Sequence, residues 1–170
     1  MGLTALLDYI ARDPDCVVFP PAGQPTVAHT LVVPEDAKAF YELCGGLIIG
    51  REAFWQARII GPDEWTLAVD KIFGEDVAAM AREQQPEDRL WDWYIVAEIE
   101  NANYLVIDCG SLHTGRCYDA HWETYGMPGQ MPVVATSLTT LIERLYERKG
   151  QRWYWLESRF PTLGDAYDDE

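Results

Sequence analysis

Basic side chains are scarce in this 170-residue sequence. It has 13 lysines and arginines against 28 aspartates and glutamates, a formal net charge of −15. Such a charge repels the phosphates of nucleic acids, so the composition argues against direct binding of DNA or RNA. It favours a cationic partner, although acidity that serves only solubility is the simpler interpretation.

Long apolar runs are also missing. No segment approaches the roughly 20 apolar residues that a membrane span needs. Asp8, Arg12 and Asp13 interrupt the apolar residues near the N-terminus, and no basic patch precedes them, so no export signal is visible. We therefore expect a cytoplasmic protein without membrane contact. The 48% apolar content is typical of one globular domain with a substantial core.

The common catalytic motifs are absent as well. The chain has no Gly-x-Ser-x-Gly elbow, no His-Glu-x-x-His helix, no Gly-Lys-Ser/Thr phosphate loop and no Gly-x-Gly-x-x-Gly turn. Carboxylates such as Asp63 and Glu64 are sequence neighbours that point to opposite faces of a strand, a poor arrangement for an acid–base pair. We predict no catalytic residue and no cofactor.

The four cysteines form no Cys-x-x-Cys pair. Cys109, His113, Cys117 and His121 recur at every fourth residue and are zinc-ligand types, but on a strand Cys117 and His121 would lie about 13 Å apart. We therefore expect no metal and interpret the cysteines as reduced core thiols. A thiol enzyme with His113 or His121 as the base is a less favoured alternative, because neither spacing guarantees a hydrogen bond.

Hydrophobic periodicity predicts four helices. They lie at residues 3–12, directly after Pro34, between residues 75 and 85, and from Ser137 to Tyr146 with Ser137 as N-cap. The proline-rich stretch 16–30 is expected to be an extended connection.

β-Branched and aromatic residues predict a central hairpin of Trp93–Ile99 and Tyr104–Cys109. Short strands at 47–49 and 57–60 and a second hairpin into 116–119 complete the sheet. At the end of the second strand of the central hairpin, Asp108 is expected to be exposed or bound in a turn. Residues 1–170 are therefore predicted to form a single α+β domain with a central antiparallel sheet flanked by helices.

Two segments, 31–46 and 104–119, resemble the SUKH superfamily of Smi/Knr-like proteins. The matching features are Pro34–Asp36 at the start of a helix, Phe40 and Tyr41 on its inner face, Gly45 and Gly46 at its end, the strand Leu105–Asp108, and the helix led by Ser137. Many members look like antitoxins against secreted polymorphic toxins, and others coordinate cell-wall signalling. The resemblance implies an immunity protein that neutralises a cognate toxin by protein contact, with a regulatory interaction scaffold as the alternative.

Seven tryptophans and the many acids supply candidate contact residues. We expect Trp55, Trp65, Trp93 and Trp122 in or at the edge of the core, and interpret Trp153 and Trp155 as capping it. Aromatic residues beside charges are typical of interaction hot spots, and Trp91 lies among acids. An acidic surface would compete for the basic groove of a nuclease or similar toxin. The predicted exposed contacts are Trp91, Asp92, Glu98, Glu100, Glu123 and, in a mobile acidic tail over about 161–170, Asp165, Asp168, Asp169 and Glu170.

Overall fold

The structure is a computed structural model that describes residues 1–169, apart from the side chain of Asn101. Within this range, helices α1 to α5 cover Leu3–Arg12, Glu35–Leu43, Ala68–Phe73, Glu75–Gln84 and Leu138–Glu147. Strands β1 to β7 cover Cys16–Val18, Leu47–Ile49, Ala57–Ile59, Trp93–Glu98, Tyr104–Asp108, Cys117–Ala120 and Val133–Ala135. The strands form one antiparallel sheet in sequence order, so the predicted α+β domain with a central antiparallel sheet is confirmed.

The sheet is an antiparallel meander, and this fixes where its connections lie. Because each strand pairs with the next one along the chain, the connections after β2, β4 and β6 all emerge at the same end of the sheet. We call this the Glu100 end, formed by residues 50–56, 99–103 and 121–124. The connections after β3, β5 and β7 lie at the opposite end.

Both faces of the sheet are covered. In β4, Trp93 through Ala97 are all buried, a continuous apolar run rather than an alternation. Helix α5 packs against α1 and α2, while α1 packs against the outer strand β1 and α5 against the outer strand β7. On the other face, the Trp93 ring contacts Tyr118, Tyr125 and Tyr167 at centroid distances of 5.3–6.0 Å. This double cover explains why so few polar side chains reach the sheet.

The four predicted helices are confirmed, together with the buried face of α2 and the N-cap of α5. Helix α2 buries Ala37, Phe40 and Tyr41. Tyr41 Oη donates to Ile60 O at 2.7 Å, which ties the helix to the end of β3. Ser137 caps α5, because its Oγ accepts a hydrogen bond from the Thr140 N–H.

Three short elements were not predicted: β1, β7 and α3. Strands β1 and β7 have three residues each, too few for a visible period, and their pairing partners are distant in sequence. The expected extended connection 16–30 therefore begins as an edge strand. A register shift between Ile95 and Ala97 interrupts the regular pairing of β4 with β5.

The expected mobile tail is wrong for residues 163–167, which pack against the body of the protein. Ala166 is fully buried, and its N–H donates to Met131 O at 2.9 Å. Asp165 Oδ1 accepts from the N–H groups of Gly129 and Tyr167, and its Oδ2 accepts from Met131. Asp168 and Asp169 are exposed, and Glu170 lies outside the described residues.

Candidate interaction surface

The predicted contact residues divide into two groups at different places on the molecule. Glu98, Glu100 and Glu123 lie at the Glu100 end of the sheet. Trp91, Asp92 and the described tail acids lie around the segment 88–92 that precedes β4. Five residues of β4, 93–97, separate Asp92 from Glu98, a distance of about 20 Å at roughly 3.3 Å per residue.

Trp91 does not fit the predicted role of an exposed hot spot. Only 8% of it is exposed, its indole N–H donates to Gln85 O at 2.9 Å, and the Arg82 guanidinium lies 4.3 Å from the ring centroid. Its neighbour Asp92 is half-buried, and burial together with the nearby Asp108 carboxylate raises its pKa. Trp91 therefore belongs to the packing of this segment, and the prediction that it is exposed is wrong, whereas Asp92 is intermediate in exposure.

The tail acids form local contacts. Arg89 donates to the backbone carbonyls of Ala166 and Asp168, and its guanidinium pairs with the Asp169 carboxylate. Asp168 accepts a hydrogen bond from the Asp165 N–H at 2.8 Å. The charges of these residues are thus largely directed at their own chain.

Two exposed aromatic residues flank the acids at the Glu100 end. Phe54, in the connection after β2, is 74% exposed, and Trp122, in the connection after β6, is 58% exposed. The backbone N–H of Trp122 donates to Asn103 Oδ1 at 3.3 Å, and this hydrogen bond holds the Trp122 backbone beside the turn after β4. The prediction that Trp122 lies in or at the edge of the core was wrong. Sequence analysis also missed Phe54, because nothing in the sequence distinguishes its exposed ring from that of its neighbour Trp55.

An open depression of about 310 Å³ lies between the loop after β2 and the end of β4. Its walls include Phe54 on one side and Glu98 and Glu100 on the other, with Arg58 at its edge. Arg58 is engaged on both sides: it binds Glu64 through two nitrogens at 2.8 and 2.9 Å and Glu98 at 2.9 Å. Donating these hydrogen bonds to Glu64 raises the pKa of Arg58, and accepting them lowers the pKa of Glu64.

Indole groups hold two other carboxylates at this end. Glu100 Oε1 accepts from Trp153 Nε1 at 3.1 Å, and Asp119 Oδ2 accepts from Trp155 Nε1 at 2.8 Å. Burial raises the pKa of Asp119, with Glu100 adding a smaller repulsion. Because an indole N–H is neutral, it orients a carboxylate without cancelling its charge.

A stack of aromatic rings supports this surface from below. Trp153 and Trp155 are buried, as predicted, and lie parallel at 5.5 Å. Trp55 meets the Trp153 ring edge-on at 5.4 Å, and Phe54 meets Trp55 at 5.1 Å. The ring of Phe54 is therefore positioned by a chain of packed aromatics that reaches into the core.

The four cysteines offer no thiolate for catalysis. All are reduced and buried, and burial raises the pKa of each thiol. A nucleophilic cysteine needs a lowered pKa and access to solvent, so the geometry argues against the thiol enzyme. Within residues 1–169, no group of three His, Cys, Asp or Glu side chains is arranged to hold a metal ion.

Asp108 is the most deeply buried carboxylate beside the sheet, at 4% exposure. Its Oδ1 accepts from Gly110 N, the turn contact that we predicted, and its Oδ2 accepts from Tyr118 Oη at 2.7 Å and Trp93 Nε1 at 3.3 Å. The alternative of an exposed Asp108 was wrong. Since both oxygens have donors, we interpret this side chain as structural.

The fold and its surfaces define a class of protein: an acidic α+β domain with exposed aromatic rings and carboxylates at one end of its sheet. No helix in the described part of the chain has the length and apolar character that crossing a bilayer requires. Immunity protein YokJ of Bacillus subtilis (strain 168) is 38% identical to this chain over 168 residues, which cover 99% of this chain and 97% of that protein. This chain therefore belongs to the family of immunity protein YokJ. No family model and no solved structure matches it.

Proposed function

We propose that this protein is a non-catalytic immunity protein that neutralises a cognate protein toxin by direct contact. The observation that carries the proposal is the nearly full-length similarity to a protein named as an immunity protein. The acidic composition supports a toxin with a basic surface, such as the substrate groove of a nuclease. The cysteine thiols are buried, and the oxygens of the buried carboxylate Asp108 already accept hydrogen bonds from other residues. Both observations support a mechanism without a catalytic step.

We propose further that the chain is a member of the SUKH superfamily. Three of the features that carried the resemblance occur in the fold as helix α2 ending before Gly45, the central strand β5, and the Ser137-capped helix α5. They support the assignment through their order along the chain.

The test is protection of cells from a cognate toxin, whose gene we expect to lie beside the gene of this chain. Bacteria that express this toxin should stop growing, and co-expression of the chain should restore growth. The two purified proteins, with the toxin inactivated by substitution, should form a 1:1 complex that elevated salt weakens, because opposite charges are screened.

The outcomes separate the proposal from its alternative. Growth arrest despite a well-expressed, folded chain would contradict the immunity function. Recovery of several partners without a toxin among them would favour the regulatory scaffold.

A further inference from the structure

Resting on the proposed function, we propose that the toxin is bound at the Glu100 end of the sheet, where Phe54 and Trp122 insert into the partner and Glu98, Glu100 and Glu123 meet its basic side chains. The occupant is the cationic face of the toxin. We call these five residues the Glu100 surface.

The exposed aromatic rings are the first argument. Leaving large apolar side chains such as Phe54 and Trp122 in water forgoes the free energy that their burial would supply. Phe and Trp are enriched at protein interfaces, and Trp is among the residues that most often dominate binding energy. Both rings lie in connections fixed to packed neighbours, so binding would require little ordering of the backbone.

The second argument is the state of the acids between the rings. None of the ion pairs among residues 1–169 involves Glu100 or Glu123. Glu100 is nevertheless oriented, because Trp153 donates to it. A charged carboxylate that is already in place, beside the depression walled by Phe54, can pair with an arginine or lysine whose stem packs on the ring.

The dimensions also suit one interface. The connections after β2 and after β6 lie four strand spacings apart, about 19 Å at 4.8 Å per strand. A standard interface covers roughly 800 Å² on each partner, which is about 30 Å across. The two aromatic residues and the acids between them therefore fit near the centre of a single contact.

Other surfaces combine these features less well. Helix α4 exposes Val77 and Met80, but these are aliphatic residues without an oriented acid between them. Among the tail acids, the Asp169 carboxylate pairs with Arg89, and those of Asp165 and Asp168 accept hydrogen bonds from backbone N–H groups. The Glu100 surface unites exposed aromatic rings, a depression and two acids, Glu100 and Glu123, that take part in none of the ion pairs described above.

The experiment measures the affinity of variants for the inactivated cognate toxin that the protection test identifies. Phe54→Ala and Trp122→Ala should each weaken binding at least tenfold, because hot-spot aromatic residues contribute this much or more. Leu112→Ala is the matched control: Leu112 is 60% exposed in the connection after β5, at the opposite end of the sheet, and its loss should change affinity less than twofold.

The charge contribution is tested separately by Glu100→Gln. The amide oxygen can still accept from Trp153, so the side chain keeps its position while the charge is lost. We expect association to slow severalfold and the salt dependence to decrease. Glu83→Gln on α4 removes the same charge elsewhere and should have a smaller effect.

Failure of this inference and failure of the proposed function give different results. If the unaltered chain binds and inhibits the toxin while Phe54→Ala and Trp122→Ala bind equally well, the Glu100 surface is the wrong surface and the immunity function stands. If the unaltered chain does not bind the toxin at all, both proposals are overturned. Unfolding temperatures of all variants should match, since the altered side chains are exposed or retain their hydrogen bond.

Discussion

At the scale of single residues, Asp108 shows what a buried charge requires. Its two oxygens accept from an amide, a phenol and an indole, and this set of donors replaces water. Burial nevertheless raises its pKa, so desolvation outweighs the hydrogen bonds. The sequence suggested the turn contact, but not the burial, because Tyr118 and Trp93 come from neighbouring strands.

We expect Asp108→Asn to lower the free energy of unfolding at pH 7 by about 1–3 kcal/mol, the cost of a buried donor without an acceptor. An asparagine has one acceptor oxygen and an NH₂ group where the carboxylate accepted from three donors. Urea unfolding measures the change. Asp8→Asn on the exposed face of α1 is the matched control and should change the free energy of unfolding by less than 0.5 kcal/mol, roughly the range of surface substitutions. Equal values for the two variants would contradict the structural role of Asp108.

The Glu100 surface shows at the same scale what sequence can and cannot predict. Glu98, Glu100 and Glu123 were proposed from the sequence because charge is visible there. Phe54 and Trp122 were not, because apolar side chains enter the core by default and exposure depends on the path of the connection. The prediction that Trp91 is exposed was wrong for the converse reason. Its charged neighbours suggested a surface position, but Arg82 covers its ring.

At the scale of elements, the elements found from the sequence are those that local signals specify. Helix α5 has a capping serine and a period of apolar residues, and the β4–β5 hairpin has two apolar runs around a polar turn. Strands β1 and β7 depend on pairing with β2 and β6, which no local pattern reveals. The packed segment 163–167 was missed for the same reason.

Removing residues 164–170 should therefore destabilise the fold. The deletion removes the buried Ala166, the ring contact of Tyr167 with Trp93, and the acceptor Asp165. We expect a loss of about 2–4 kcal/mol in the free energy of unfolding, from lost apolar burial and unpaired backbone donors. Removing only residues 168–170 is the control and should cost much less. A freely mobile tail would make both deletions equally harmless.

At the scale of the whole molecule, pH should change the stability of the fold mainly through its negatively charged carboxylates. Burial raises the pKa of Asp92, Asp108 and Asp119, so the folded protein binds more protons than the unfolded chain just above the ordinary pKa of aspartate. Stability from these groups is fully present below that ordinary pKa and is lost as pH rises through the folded-state pKa. The net charge of −15 adds repulsion at neutral pH.

We therefore expect a higher unfolding temperature at pH 5 than at pH 7.5, measured by scanning calorimetry. Below about pH 4 the trend should reverse, because ion pairs lower the pKa of Asp13 and Glu64, and protonation of these groups removes their stabilisation. Asp92→Asn removes one of two neighbouring charges, so it should stabilise the protein at pH 7.5 and flatten the rise toward pH 5. An unchanged pH profile in this variant would contradict the assignment.

The measurement that tests the central claim most directly is titration of the toxin's activity with this protein in vitro. Neutralisation by contact predicts that activity falls linearly to zero at one equivalent, and that the toxin regains full activity and unchanged mass when high salt separates the complex. Complete inactivation by a small fraction of an equivalent, or a covalently altered toxin, would show that the protein is an enzyme and contradict the account.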